Sequence, residues 1–265
     1  MKHTKTIILA SLGLIATSIT IILLSPSTKN GKKTNSKSIT IFSGGKHLTV
    51  SKPLINQPYY DSVLKEQNKA KLKSIRSQYD SLINKYATIN KLPIELIVSF
   101  MFIESTGNAK AVSVDAYGLM QIGIGTANYI IQSGRVNNTL TSSEISLIKS
   151  KVKNANTLLK SSIGDNNTTY IQKNELFDPE LNIMLGCKLI RYILDKNVSE
   201  WNEIRLDRLI AMYNRGINMN KKLLNGSVAT VIDSLSKDSY GKAAVPYIKK
   251  MLSQDGTLDL LINEA

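Results

Sequence analysis

The sequence predicts a mainly α-helical domain carried behind an N-terminal transmembrane or signal segment and a short linker. Three observations predict it. Most of the chain after residue 59 shows apolar residues at helical spacing, bounded by recognisable helix starts and stops. Only one short stretch, Ser38–Val50, reads as strands, a small hairpin around Ser43-Gly44-Gly45-Lys46. Near the N-terminus, Thr6–Leu24 is an uncharged run that at ~1.5 Å per residue is long enough to cross a bilayer.

The run Thr6–Leu24 follows Lys2 and Lys5. Its length exceeds an ordinary signal-peptide core and favours an uncleaved anchor, while Ser25-Pro26-Ser27 keeps signal cleavage open. Both readings export the remainder. Residues 25–37 are rich in Ser, Thr, Asn, Gly and Lys and read as a flexible linker, extending with the hairpin to about residue 58. Residues 59–76 read as a basic helical stalk leading into a domain over 77–265. The net charge is +14, and residues 1–90 hold 14 Lys and Arg against 3 acids. Aromatic residues are not interleaved with this charge, so an anionic membrane or wall surface explains it better than nucleic acid. Cys187 is the only cysteine and sits in an apolar helical pattern, so it reads as core, and His3 and His47 offer no metal cluster.

The centre of the chain is Pro93–Ile122. Pro93 suits a helix start, Ile94–Ile103 is apolar nearly all round, and Thr106-Gly107 supplies the stop. Glu104 and Ser105 occupy the last turn. A carboxylate there is penalised by apolar surroundings and by the negative end of the helix dipole. Both raise its pKa, as a general acid working near neutrality requires. Downstream, Asp178-Pro179 opens a helix running to about Lys196, Leu206–Tyr213 forms another, and Ser142–Leu159 a third.

Glu104-Ser105, Ser113 and Gly118-Leu119-Met120-Gln121-Ile122 resemble the catalytic core of the lytic transglycosylase family, whose SLT-type domain has a goose-type lysozyme-like fold. Three later blocks resemble it in order: Asp178–Ile183, Ala211-Met212-Tyr213-Asn214, and Ala243–Lys250 with Tyr247. The resemblance covers about residues 77–252. It implies Glu104 as the catalytic acid and base. Ser105, Gly118, Met120, Gln121, Tyr213, Asn214 and Tyr247 would be the substrate-binding residues, with no metal or cofactor. It implies a lyase that cleaves peptidoglycan with formation of a 1,6-anhydro-muramic product in the periplasm or at the wall. Two departures stand out: glycines replace the proline usual after Gln121-Ile122, and Arg215 follows Asn214 where a small residue is usual. Residues 128–176 are longer than the family's connection and read as a helical insertion, for packing or for binding substrate or a partner.

A hydrolytic muramidase would need a second carboxylate. Asp115, Asp178 and Glu180 are the candidates; the last two read as helix-start residues and Asp115 as a surface turn. A non-catalytic wall-binding component of an envelope-crossing machine is the third reading, and an intact Glu104 speaks against it.

Overall fold

The computed structural model describes residues 37–165, 167 and 170–264, and the predicted membrane or signal segment lies outside them. Among the described residues, no single helix is long and apolar enough to cross a membrane.

Strands β1 (Ile39–Ser43) and β2 (Lys46–Val50) pair antiparallel, Ser43 opposite Lys46. Gly44 and Gly45 have φ of 52° and 75°, the two left-handed positions that a tight hairpin turn of right-handed twist demands. The alternation buries Ile39, Ile41 and Ser43 and turns Phe42 out. Strand β3 (Ile55–Pro58) pairs in parallel with β4 (Ser253–Gln254) near the other end of the chain. The described part of the expected linker is therefore folded structure, because all three of its strands find backbone partners.

Helix α1 (Ser62–Gln78) is capped by Asp61, whose side chain accepts from Leu64 N–H at 2.8 Å. The segment read as a stalk is held down along its length: Lys65 pairs with Asp255 at 2.7 Å, and Leu72 and Ile75 are buried. Helix α2 (Asp80–Asn90) ends at Lys91 in the left-handed region, and α3 (Ile94–Ser105) follows directly. Every residue of α3 from Leu96 to Ile103 is buried, as its all-round apolar sequence requires. Thr106 and Gly107, with φ of 54° and 79°, close it and return their N–H groups to the Met101 and Phe102 carbonyls.

Helix α4 (Ile124–Val136) was not expected. Gly123 and Gly125 read as a loop, yet Gly123 precedes the helix and Gly125 falls in its first turn, and Ala127, Ile130 and Ile131 bury one face. The helix predicted over Ser142–Leu159 is two, α5 (Ser142–Lys151) and α6 (Ala155–Leu158). Val152 is extended between them, and Lys153 N–H donates to Glu175 at 2.8 Å rather than into a helix. This insertion is packed into the body through Ile131, Ile148, Leu158 and Ile171.

Helix α7 (Pro179–Trp201) begins at the Asp178 cap and runs one turn past its expected end, to Asn202 at φ 57°. It is the central post: α2, α4, α5 and α8 (Leu206–Arg215) pack on it, and the hairpin sits on its exposed side. Helix α9 (Val228–Lys237) leads through a short turn to α10 (Ala244–Leu252), which packs against α8 and α3, and α11 (Thr257–Glu264) covers α3. Helix α3 is thus enclosed by α1, α2, α10 and α11, leaving its two end turns, Ile94-Glu95 and Glu104-Ser105, partly exposed.

Candidate active site

The site is assembled where α3 stops. Glu104 is partly buried on the last turn and makes no hydrogen bond or ion pair among the described residues. Burial raises its pKa to about 8, and the nearby ammonium of Lys250 opposes part of that rise. Lys250 lies on α10 with its Nζ 4.9 Å from the centre of the Phe102 ring, and burial lowers its own pKa against the pull of Glu104. Tyr247 is one turn back on the same helix face; burial and then the Glu104 charge push its hydroxyl up. Sequence reasoning named Tyr247 and missed Lys250. The three-residue spacing from Tyr247 was the available signal.

Facing Glu104 from α8, Tyr213 rests its ring 4.5 Å from that of Phe100 and donates its hydroxyl to the Met120 carbonyl at 2.8 Å. Burial, then the Glu104 charge, hold that hydroxyl well above its ordinary pKa. Asn214 follows, and its Oδ1 is buried with no hydrogen-bond partner. A buried acceptor left empty costs ~1–3 kcal/mol, which makes Asn214 a point of unmet polarity in the wall. Neither Tyr247 nor Glu104 is bonded to it.

The stretch Gly118–Gln121 is the other wall, and it is pinned from several sides. Asn182, fully buried on α7, accepts Met120 N–H at 2.7 Å and donates to the Tyr117 and Leu176 carbonyls at 2.9 and 2.8 Å. Through Asn182, the Asp178–Ile183 block therefore braces the loop opposite the end of α3. Gly118 has φ 78°, and a Cβ there would lie 2.5 Å from both Asn182 Nδ2 and the Leu176 carbonyl. Gly118 is buried, so its part is to let the loop pass rather than to touch substrate. Met120 also departs from expectation. It is 0% exposed, and a Cβ on Gly186 of α7 would strike its sulfur at 2.2 Å, so the side chain fills the core instead of lining a groove. Only its backbone carbonyl serves the site, through Tyr213.

Ser105 likewise positions the loop. Its hydroxyl donates to the Leu119 carbonyl at 2.7 Å and accepts Gly107 N–H at 3.1 Å, tying the end of α3 to the wall opposite, with no bond to Glu104. Gln121 is at φ 47°, and its amide nitrogen donates to the Gly118 and Ala111 carbonyls at 2.9 and 3.2 Å. Its Oε1 makes no hydrogen bond among the described residues and is the atom left for a ligand.

Beyond Tyr213 the wall opens into a cavity of about 570 Å³, bounded by Thr126, Tyr129, Met212, Tyr213, Arg215 and Tyr240 among others. Arg215 lies in this wall, its guanidinium carbon 3.8 Å from the Tyr240 ring centre, while the Tyr240 hydroxyl donates to the Arg215 carbonyl. Two of the three candidate second carboxylates are engaged elsewhere in the fold. Asp178 caps α7 and pairs with Lys151 at 2.8 Å, and Glu180 pairs with Lys85 at 2.7 Å and accepts the Tyr86 hydroxyl. Asp115 is exposed in its turn. Among the described residues, no group of His, Cys, Asp and Glu could hold a metal ion.

A search of curated proteins returned no match to the chain. Residues 81–169 match the family model described as Transglycosylase SLT domain, a span that contains Glu104, Ser105 and Gly118–Gln121 and stops short of Tyr213, Asn214 and Tyr247. This part of the chain is thus similar to the SLT domains of lytic transglycosylases, a family that acts on peptidoglycan.

Proposed function

We propose that the protein is a peptidoglycan lytic transglycosylase that cleaves the β-1,4 bond between MurNAc and GlcNAc and leaves a 1,6-anhydro-muramic end. The observation that carries the reading is Glu104: a carboxylate without a bonding partner, raised to a pKa of about 8, at the solvent-facing end of a buried helix. Such a group is protonated at neutral pH and can give its proton to the departing glycosidic oxygen. The substrate's own N-acetyl carbonyl oxygen then bonds to the anomeric carbon as the glycosidic bond breaks. Glu104, now a carboxylate beside Lys250, takes the proton from the 6-hydroxyl, and O6 replaces the acetamido oxygen at the anomeric carbon. Glu104 ends protonated again, and no water, metal or cofactor is consumed. A single unpaired carboxylate suits this sequence, since hydrolases usually place a second one across the bond.

Around that centre, Asn214 Oδ1 and Gln121 Oε1 are the free acceptors for sugar hydroxyl and amide groups. Tyr213 and Tyr247 supply ring faces on either side. Ser105, Gly118 and Met120 hold the wall, so we assign them positioning roles. Residues 77–265 would form the catalytic domain, exported and held at the membrane by the Thr6–Leu24 segment, facing the periplasm or wall. Partners in an envelope complex remain part of the proposal through the insertion at 128–176.

Mass analysis of the fragments released from purified peptidoglycan tests the reading. Anhydro ends, lighter than the hydrolytic product by one water, are expected. Free reducing muramic ends would replace the assignment with a hydrolytic muramidase.

A further inference from the structure

A second cavity, of about 630 Å³, is separate from the one beside Tyr213. It lies between the hairpin and α7, and its walls come from outside residues 81–169 as well as from within them. Four cations line it: Lys46 from the hairpin, Lys91 from the end of α2, and Lys188 and Arg191 from α7. Two are neutralised within the fold. Lys188 Nζ is 3.0 Å from buried Glu144 and donates to the Thr139 carbonyl, and Arg191 is 2.8 Å from Asp195 while donating to the Phe42 carbonyl. The side-chain ammonium groups of Lys46 and Lys91 have no ion pair or hydrogen bond among the described residues, the bonds of both residues being made by their backbone. Arg191 also keeps its Nε buried without a hydrogen-bond partner. Asp195 is the one carboxylate in the lining, and Ile89, Ile130 and Tyr192 add apolar wall.

From this we infer that the basic cavity binds a short peptide bearing carboxylates, the stem peptide attached to the muramic acid of the same substrate; the inference rests on the peptidoglycan reading above. Three features favour a peptide over a bare phosphate chain. The apolar wall suits small aliphatic side chains, Asp195 offers an acceptor to an ammonium, and the volume exceeds what a single inorganic anion fills. Its position fits as well. Tyr192 lines the basic cavity and Tyr129 lines the one beside Tyr213, with their hydroxyls 3.0 Å apart and ring centres 5.8 Å apart. The two cavities share this tyrosine wall. A muramic ring held near Tyr213 would be separated from the basic cavity by this tyrosine pair.

The test is calorimetric titration of the full-length protein, in detergent, with synthetic Ala-γGlu-Lys-Ala, with the same peptide having its carboxylates amidated, and with inorganic phosphate. The free peptide should bind at least about tenfold more tightly than the amidated one, and more weakly as salt rises. The double variant Lys46→Gln/Lys91→Asn should lose at least about tenfold in affinity; both positions are exposed, and Asn tolerates the left-handed backbone that Lys91 adopts. Equal binding of the two peptides, unchanged affinity in the double variant, or full displacement of the peptide by phosphate would overturn the inference. The two readings fail separately. A protein that binds the peptide but cleaves no wall overturns the enzyme reading, whereas one that cleaves wall and binds no peptide overturns this one.

Discussion

Glu104 and Glu144 are two glutamates on helices of one domain, and they show opposite ways of managing a carboxylate away from water. Glu144 is 0% exposed, yet its Oε2 accepts Thr141 N–H at 2.7 Å and the Thr141 hydroxyl at 3.0 Å, and meets Lys188 Nζ at 3.0 Å. It is at the N-terminal turn of α5, where the helix dipole favours negative charge, and it completes a capping box. Glu104 is less buried and has none of these: it sits at the wrong end of its helix, with no donor bonded and one ammonium nearby. Burial alone does not make an acid. What distinguishes Glu104 is burial without partners, and the difference is also one between a group that stabilises the fold and one that costs it stability.

The largest expected effect comes from removing the unpartnered acid. Glu104→Gln keeps shape and hydrogen-bonding capacity but cannot exchange the proton, so turnover on purified peptidoglycan should fall by at least ~10²–10⁴, the usual worth of acid–base assistance. The same variant should change stability in a defined direction. The folded-state pKa of Glu104, about 8, lies above the ordinary value of 4.5, so its favourable contribution is complete below about pH 4.5 and is lost as pH rises towards 8. Thermal melts of wild type and Glu104→Gln should therefore diverge over that window, with the variant ahead at pH 8.5. A variant that melts earlier at that pH would contradict the sign.

Next in size is the loss of Glu144's partner. Lys188→Met leaves a fully buried carboxylate without its cation and should cost about 3–5 kcal/mol in denaturant unfolding. The pH dependence of turnover in the surviving folded protein should not move, because this pair takes no part in the chemistry. Smaller again is Ser105→Ala, which unties the end of α3 from the Leu119 carbonyl. About 1 kcal/mol of stability should go, with a severalfold fall in turnover that Ser105→Thr partly restores. The smallest change separates Lys250 from a purely structural role. Its ammonium holds the Glu104 pKa down, so Lys250→Met should carry the alkaline limb of the pH–rate profile to higher pH, and Lys250→Arg should bring it back. A limb that does not move would make Lys250 only a cover for Phe102.

Much of this was readable in advance because the signals are local. The buried α3, its stop at Thr106-Gly107, the Asp178-Pro179 start and the Gly44-Gly45 turn each follow from a few adjacent residues. So does the discomfort of Glu104, which needs only its neighbours along the helix. What stayed hidden depends on distant contacts. Met120 reads as groove wall until Gly186, on another helix, is found to leave room for its sulfur in the core. Gln121 reads as a donor and acceptor for sugar groups until its amide nitrogen is seen spent on the Gly118 and Ala111 carbonyls, which leaves only Oε1 for that role. Helix α4 was obscured by glycines whose helical penalty the burial of Ala127, Ile130 and Ile131 offsets. The basic cavity joins residues from 42 to 195, and no short window along the chain contains them.

The central claim, that Glu104 is an acid because nothing in the fold satisfies its charge, is tested most directly by titrating that carboxyl. Carbon-detected NMR of protein labelled at the glutamate side-chain carboxyls, with Glu104→Gln to assign the resonance, reports its pKa without reference to substrate. The account predicts a resonance that titrates near pH 8 and disappears in the variant. A Glu104 resonance titrating in the ordinary carboxylate range near 4.3 would contradict it.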